Sequence, residues 1–427
     1  MKACARQAAE AVGVSRLERS ILSRLLGFVG SLAVALVAIS ASPGAACAAD
    51  VAPIAVPSGV SYELIGRWDV DKLNQILTVD APKLFNIAVP YTTARNAVRL
   101  YRVTYSSVVP EQKNRPIVAT GLLAVPDTGA TNLPILSYQH GSAFLKTQVP
   151  SFPDQSGETQ LVVAQFAGQG YVVIGADYFG MGASTEPEGF GVMASQQQAS
   201  LDMLRASKAV LGQMQISTGK LFLAGWSLGG FATMAFLERL EKDGVKVDCA
   251  AMASGPADVY SLLSGFLDFP RQNDAASTNL LYILSAFSFE TYYGLPGLAR
   301  SFFTDEYYDI ARRAYERRPY EFNDIPTDLT KLIRPEYFDP DFFGNSAYGK
   351  IALATQAYRW IIKTPVRNYY GEADEVVSVG LARLAMNYQQ GIGGGNDRVK
   401  AISTGQTDHR GTFATAVSLW KTWFDRQ

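Results

Sequence analysis

From Val98 onward, two patterns of apolar and polar positions alternate along the chain. Short runs that are continuous or period-two in apolar residues, and rich in β-branched and aromatic side chains, predict strands. They fall at 98–106 (VRLYRVTYS), 117–125, 133–139, 171–178 (YVVIGADY), 221–226 (LFLAGW), 245–253, 365–370 and 399–404. Longer segments with helical spacing predict helices at 160–168, 196–214, 230–240, 376–389 and 412–426. Continuous apolar runs bounded by turns mark strands buried on both faces. Strands alternating with helices then give an α/β class with a mostly parallel, eight-stranded sheet covered on both sides.

The rhythm stops between Tyr260 and Tyr348. Residues 251–350 hold 20 of the 48 Phe, Tyr and Trp, and helical patterns such as 304–318 replace the alternation. This predicts a helical insertion over 258–350, between a first core segment at 95–257 and a second at 351–427. Its aromatics make either a small core of their own or a lid whose inner face shapes an apolar pocket. Arg312, Arg313, Arg317 and Arg318 alternate with Glu306, Asp309 and Glu316, which reads as a solvated helix face. Gly344 to Lys350 matches the front of a phosphate-binding loop, but Ile351 stands where that loop needs Ser or Thr, so no nucleotide is expected there. Residues 49–94 form an N-terminal arm with a helix at 70–77.

The first 48 residues read as an export leader. Lys2, Arg6, Arg16, Arg19 and Arg24 precede an apolar run at 25–39 (LLGFVGSLAVALVAI), and small residues follow, ending in Ala46-Cys47-Ala48. That is a signal peptide with an A-x-A cleavage pattern, and the run is short for a bilayer span. The expectation is a periplasmic or secreted protein with no stable membrane span after cleavage. Whether Cys47 carries a lipid is left open. Cleavage removes five basic and two acidic groups, taking the net charge from −1 to −4. It also leaves Cys249 as the sole cysteine, in an apolar run that makes it an inert strand residue.

Charge and composition narrow the chemistry. Near-balanced charge gives no footprint for nucleic acid. Three cysteines and two histidines give neither a disulfide scaffold nor a zinc cluster, so no metal and no cofactor is expected. A monomer is the expected state, acting on a small-molecule or lipid ester.

Gly225-Trp226-Ser227-Leu228-Gly229 sits between a predicted strand and a predicted helix, the setting of a nucleophile elbow. Such a turn exposes the Ser227 hydroxyl and aims free helix N–H groups at developing negative charge. His409 is the only histidine after Ser227, so any triad base falls there. The acid should follow a late strand. Asp374, in Gly371-Glu372-Ala373-Asp374-Glu375, is the choice, with Glu372, Glu375 and Asp408 as competitors. Leu228 N–H supplies one oxyanion donor. Tyr138-Gln139-His140-Gly141-Ser142 supplies the other, through Ser142 or Gly141, with His140 organising that loop.

The ordered set of His-Gly-Ser, Asp-Tyr-Phe-Gly-Met-Gly (Asp177 to Gly182), Gly-Trp-Ser-Leu-Gly-Gly, Gly-Glu-Ala-Asp-Glu-Val-Val and a C-terminal Asp-His resembles the α/β-hydrolase superfamily over residues 95–427. With its large insertion it is similar to secretory lipases and their bacterial esterase relatives. The resemblance implies a serine esterase or lipase acting through an acyl-enzyme, with a structural Asp177. A serine peptidase or amidase on the same fold is the alternative, and a non-catalytic binding protein a more distant one.

Overall fold

The protein is described by a computed structural model over residues 53–56, 59–272, 274–393 and 397–427. The leader expected at 1–48 lies outside the described residues. One mixed sheet organises the rest. Its strands are β1 (Ile54–Val56), β2 (Val60–Trp68), β3 (Val98–Val109), β4 (Arg115–Pro126), β5 (Asn132–Gln139), β6 (Val172–Ala176), β7 (Ser217–Trp226), β8 (Cys249–Ala253), β9 (Val366–Tyr370) and β10 (Val399–Ser403). The spatial order is β1-β2-β3-β4-β6-β5-β7-β8-β9-β10. Strands β5 to β10 pair in parallel, and β1 to β4 form an antiparallel meander that joins β6 antiparallel.

The sheet therefore has ten strands rather than the expected eight. The two extra strands come from the N-terminal arm. In β2 (VSYELIGRW), Val60, Tyr62 and Trp68 are buried while Leu64 is 48% exposed, and the pairing with β3 slips between Leu64 and Gly66. A bulge in an edge-side strand breaks the period-two signal that sequence reading depends on.

The parallel strands show why their sequences read as continuous apolar runs. Every residue of β6 and β8 is buried. Within β7, Leu223 joins the core under the helices Met193–Gln213 and Leu228–Lys242. Its neighbour Phe222 points the other way, against Phe424 of the C-terminal helix His409–Phe424 at 4.7 Å between ring centroids. Burying one such side chain contributes roughly 1.5–3 kcal/mol, so the alternation fixes the register of β7 strongly.

Between β8 and β9 the chain leaves the sheet for the helices Val259–Asp268, Ala276–Tyr292, Leu298–Phe302, Tyr308–Tyr315, Pro340–Asn345 and Ala347–Ala354. The phosphate-loop look-alike is part of the last two. The aromatics pack among themselves: Phe302 stacks on Tyr348 at 4.4 Å and Phe287 on Tyr315 at 5.2 Å, and Tyr282 Oη donates to Leu263 O at 2.7 Å. The arginine face needs a correction. Arg312 and Arg318 do pair with Glu316 at the surface, but Arg317 does not join them. The helix ends at Tyr315, Arg317 takes φ +54°, and its side chain turns inward to Glu188 at 2.5 Å.

The helix expected at 376–389 is also divided, into Val379–Ala382 and Leu384–Gly391. Asp374 Oδ1 accepts the N–H groups of Val376 and Val377, each at 2.9 Å, which holds that segment as a turn.

Candidate active site

After β5 the chain crosses to β6 on one side, then returns to β7 on the other. That reversal opens a crevice at the carboxyl ends of β5 and β7, where ligands bind in sheets of this kind. Gln139 is in register with Gly225, so the His140–Ser142 loop leaves the sheet beside Ser227. Ala253 is in register with Tyr369, and Tyr370 with Ser403, so the loops to Asp374 and His409 leave from the same edge.

Ser227 joins β7 to the helix Leu228–Lys242 with φ +56° and ψ −121°, a conformation costly for a residue with a side chain. The flanking glycines are required by contact. A Cβ on Gly225 would meet Gly229 O at 2.2 Å, and one on Gly229 would meet Gln139 O at 1.9 Å. The strained turn thus persists because the elbow helix presses onto the β5 loop. Ser227 remains half-buried, with its hydroxyl at an apolar slot lined by Ser142, Ser227 and Leu228 and, from the insertion, by Leu262, Leu281 and Phe289. A wider, shallower groove at the opposite edge, by Asn132, Lys220 and Asp248, holds none of the candidate residues.

His409 is the first residue of the C-terminal helix. Its Nδ1 lies 3.0 Å from Asp374 Oδ1 and 3.2 Å from Oδ2. Asp374 has only 1% of its side chain exposed. Burial alone would raise its pKa, but the hydrogen bond and charge of His409, with the Val377 N–H, hold the carboxyl below its ordinary value. The competing acids are occupied elsewhere. Asp408 caps the helix through Gly411 N–H at 2.7 Å, Glu375 accepts the His409 backbone N–H at 3.0 Å, and Glu372 binds Ser403 and Gln406. Among the described residues neither the Ser227 hydroxyl nor His409 Nε2 makes a hydrogen bond. Such contacts are commonly long in a free enzyme and tighten around substrate. Trp226 flanks the imidazole at 5.3 Å between ring centroids.

The oxyanion alternatives separate. Gly141 N–H donates to Glu158 Oε1 at 2.9 Å, so it is engaged within the protein. The N–H groups of Ser142 and Leu228 have no protein acceptor among the described residues, and both residues line the slot with Ser227. His140 is buried, with Nδ1 2.8 Å from Gly141 O and Nε2 3.2 Å from Asp177 O, and it stacks on Tyr178 at 4.2 Å. Burial lowers its pKa against the two carbonyls, so the neutral ring donates its one N–H to one of them and braces the loop. Asp177 is fully buried and accepts from Thr120 Oγ1 at 2.6 Å and from Ser151 N–H at 2.8 Å. Burial also pushes the Cys249 thiol up to about 12, with the Asp248 charge adding to the shift.

Two residues near the site carry no sequence signal. Glu158 lies beneath the Gly141 peptide. Arg317 donates to Ala143 O at 3.0 Å from the insertion side. Among the described residues no group of three or more His, Cys, Asp or Glu gathers to hold a metal, and no helix is long and apolar enough to cross a membrane.

Comparison with known proteins matches this architecture. Residues 149–279 match the family model described as serine aminopeptidase, S33. No curated protein matches the chain. Among solved structures, a protein from Legionella pneumophila with a provisional hydrolase assignment superposes with a TM-score of 0.75 at 21% identity, over 86% of this chain and 96% of that one. The rice cell wall degrading esterase LipA from Xanthomonas oryzae gives 0.71 at 22% identity, over 86% and 98%. Candida antarctica lipase A in its closed state gives 0.60 at 16% identity, over 87% and 83%. The sheet order, the elbow at Ser227 and these likenesses together make this chain a protein of the α/β-hydrolase fold.

Proposed function

We propose that the chain is an exported serine hydrolase that cleaves carboxylic esters through an acyl-enzyme on Ser227. The observation that carries the reading is the pairing of His409 Nδ1 with both oxygens of buried Asp374, at the same end of the strands as half-buried Ser227. Asp374 fixes the imidazole tautomer, leaving Nε2 to take the Ser227 proton as Oγ attacks the ester carbonyl. The N–H groups of Leu228 and Ser142 receive the developing oxyanion, each worth roughly 10²–10³ in rate. His409 then protonates the leaving alcohol and later activates water to release the acid. The slot beside Ser227 is apolar, which suits a hydrocarbon acyl group, and the insertion acts as the lid over it.

The family model favours a second reading, since it is described by a peptidase activity. A peptidase needs a partner for a substrate amine, and the slot is lined almost wholly by apolar side chains, so the ester reading is preferred. Turnover of nitrophenyl esters of increasing chain length, beside matched aminoacyl-nitroanilides, separates the two in wild type and S227A. Ester turnover that disappears in S227A is expected. Anilide turnover well above ester turnover transfers the reading to a peptidase, and hydrolysis surviving in S227A removes it. N-terminal sequencing of exported protein tests the leader, with a start at Ala49 or close to it expected.

A further inference from the structure

Glu158 stands in the first turn of the helix Gly157–Phe166, directly under the loop that carries Ser142. Its Oε1 accepts the Gly141 N–H at 2.9 Å. Oε2 is closed to solvent although the residue as a whole is half-buried, and it has no hydrogen-bond partner among the described residues. The titratable groups that face it are the phenols of Tyr138 from β5 and Tyr178 from the loop after β6, and no cation is among them. Both phenols are pushed well above their ordinary value by burial, so neither ionises near neutrality. His140 sits behind Tyr178 with both ring nitrogens facing carbonyls. The Arg317–Glu188 ion pair anchors the loop further along, at Ala143. A full negative charge at Glu158 would have no countercharge here.

We infer that Glu158 is a positioning residue of the oxyanion site: as a neutral carboxylic acid it fixes the Gly141 peptide so that the next N–H, at Ser142, faces the reacting carbonyl. This rests on the reading of Ser227 as a nucleophile. The geometry explains why the acid must be neutral. A carbonyl oxygen is enough to hold the Gly141 N–H. A carboxylate would hold it too, but would set a like charge one peptide away from the oxyanion that Ser142 stabilises. Burial pushes the carboxyl up to about 8, although the Gly141 hydrogen bond and the Tyr138 phenol, which lies near Oε2 outside hydrogen-bond geometry, pull it down. The neutral form therefore dominates at neutral pH and is lost on the alkaline side.

The test is the pH profile of kcat and KM on p-nitrophenyl butyrate from pH 6 to 9.5, for wild type, E158Q and E158A, with S227A as the background. Wild-type kcat is expected to fall about ten-fold through one ionisation near pH 8, as a like charge a few ångströms away penalises the oxyanion. E158Q keeps the carbonyl acceptor without the ionisation, so it keeps kcat at pH 7 within about three-fold and shows no alkaline fall. E158A loses about ten-fold or more in kcat with KM little changed, because the Ser142 donor acts only in the transition state. An E158Q profile that follows wild type, or a wild-type kcat in E158A, overturns the inference. A wild-type profile flat to pH 9.5 overturns it even if neither variant folds. Turnover that persists in S227A refutes the nucleophile reading instead, and is recognised separately.

Discussion

His409 Nδ1 lies within 3.2 Å of both carboxylate oxygens of Asp374, although the two residues are 35 positions apart. Asp374 is itself held by Val376 and Val377 N–H groups. The Asp374 carboxylate is thus oriented by its own loop as well as by His409. In D374N an amide replaces the acceptor, and its N–H₂ can turn the imidazole to the wrong tautomer. A kcat loss of about 10³–10⁴ is expected, by analogy with triads of this type. In D408N the helix cap survives, since Asn caps about as well as Asp, and kcat should stay within a few-fold. Steady-state kinetics on the two variants checks both.

The elbow depends on contact at Gly229 more than on the serine. G229A places a methyl 1.9 Å from Gln139 O, where backbone faces backbone and neither side can yield cheaply. A loss of several kcal/mol of stability is expected, read as a lowered urea midpoint or as insoluble protein.

Arg317 and Glu188 form an ion pair at 2.5 Å with side chains 11% and 9% exposed. R317M leaves the Glu188 carboxylate buried and removes the donor on Ala143 O. Breaking one partner of such a pair costs about 3–5 kcal/mol, measurable by denaturant unfolding. A matching fall in kcat should appear, because Ala143 adjoins Ser142.

Glu158 also makes stability depend on pH. Its folded pKa is raised above the unfolded value, so its contribution is fully present below the unfolded pKa and is lost as pH rises toward about 8. E158Q escapes that loss. The melting temperature of E158Q relative to wild type should climb from about pH 4.5 to about pH 8 and then level off. Thermal scans across this range need no activity.

What the sequence made legible follows from how local each signal is. The tight turn at Ser227 is legible because strand, turn and helix are contiguous, and the turn demands glycine on both sides. His409 stands out as the candidate base because only one histidine follows Ser227. Asp374 and Asp408 differ in sequence only by the strand ends they follow, whereas in the structure Asp374 faces His409 Nδ1 and Asp408 caps the helix. The arm strand β2 escaped because a bulge breaks its alternation. Glu158 and Arg317 were illegible for a different reason. Glu158 looks like any first-turn acid of a helix, and its partner Gly141 is reached only through the packing of that helix against the sheet. Arg317 looked like one of four surface arginines, while the residue it pairs with lies 129 positions away.

The claim on which all else rests is that Ser227 is the activated nucleophile. Peptide mass spectrometry after brief treatment with a fluorophosphonate tests it directly, because the reagent needs an activated hydroxyl and no assumption about substrate. A single phosphonyl adduct on the peptide containing Ser227 is expected, absent in S227A and slowed by orders of magnitude in H409A. An adduct on another residue, or none on native protein that turns over an ester, would contradict the account.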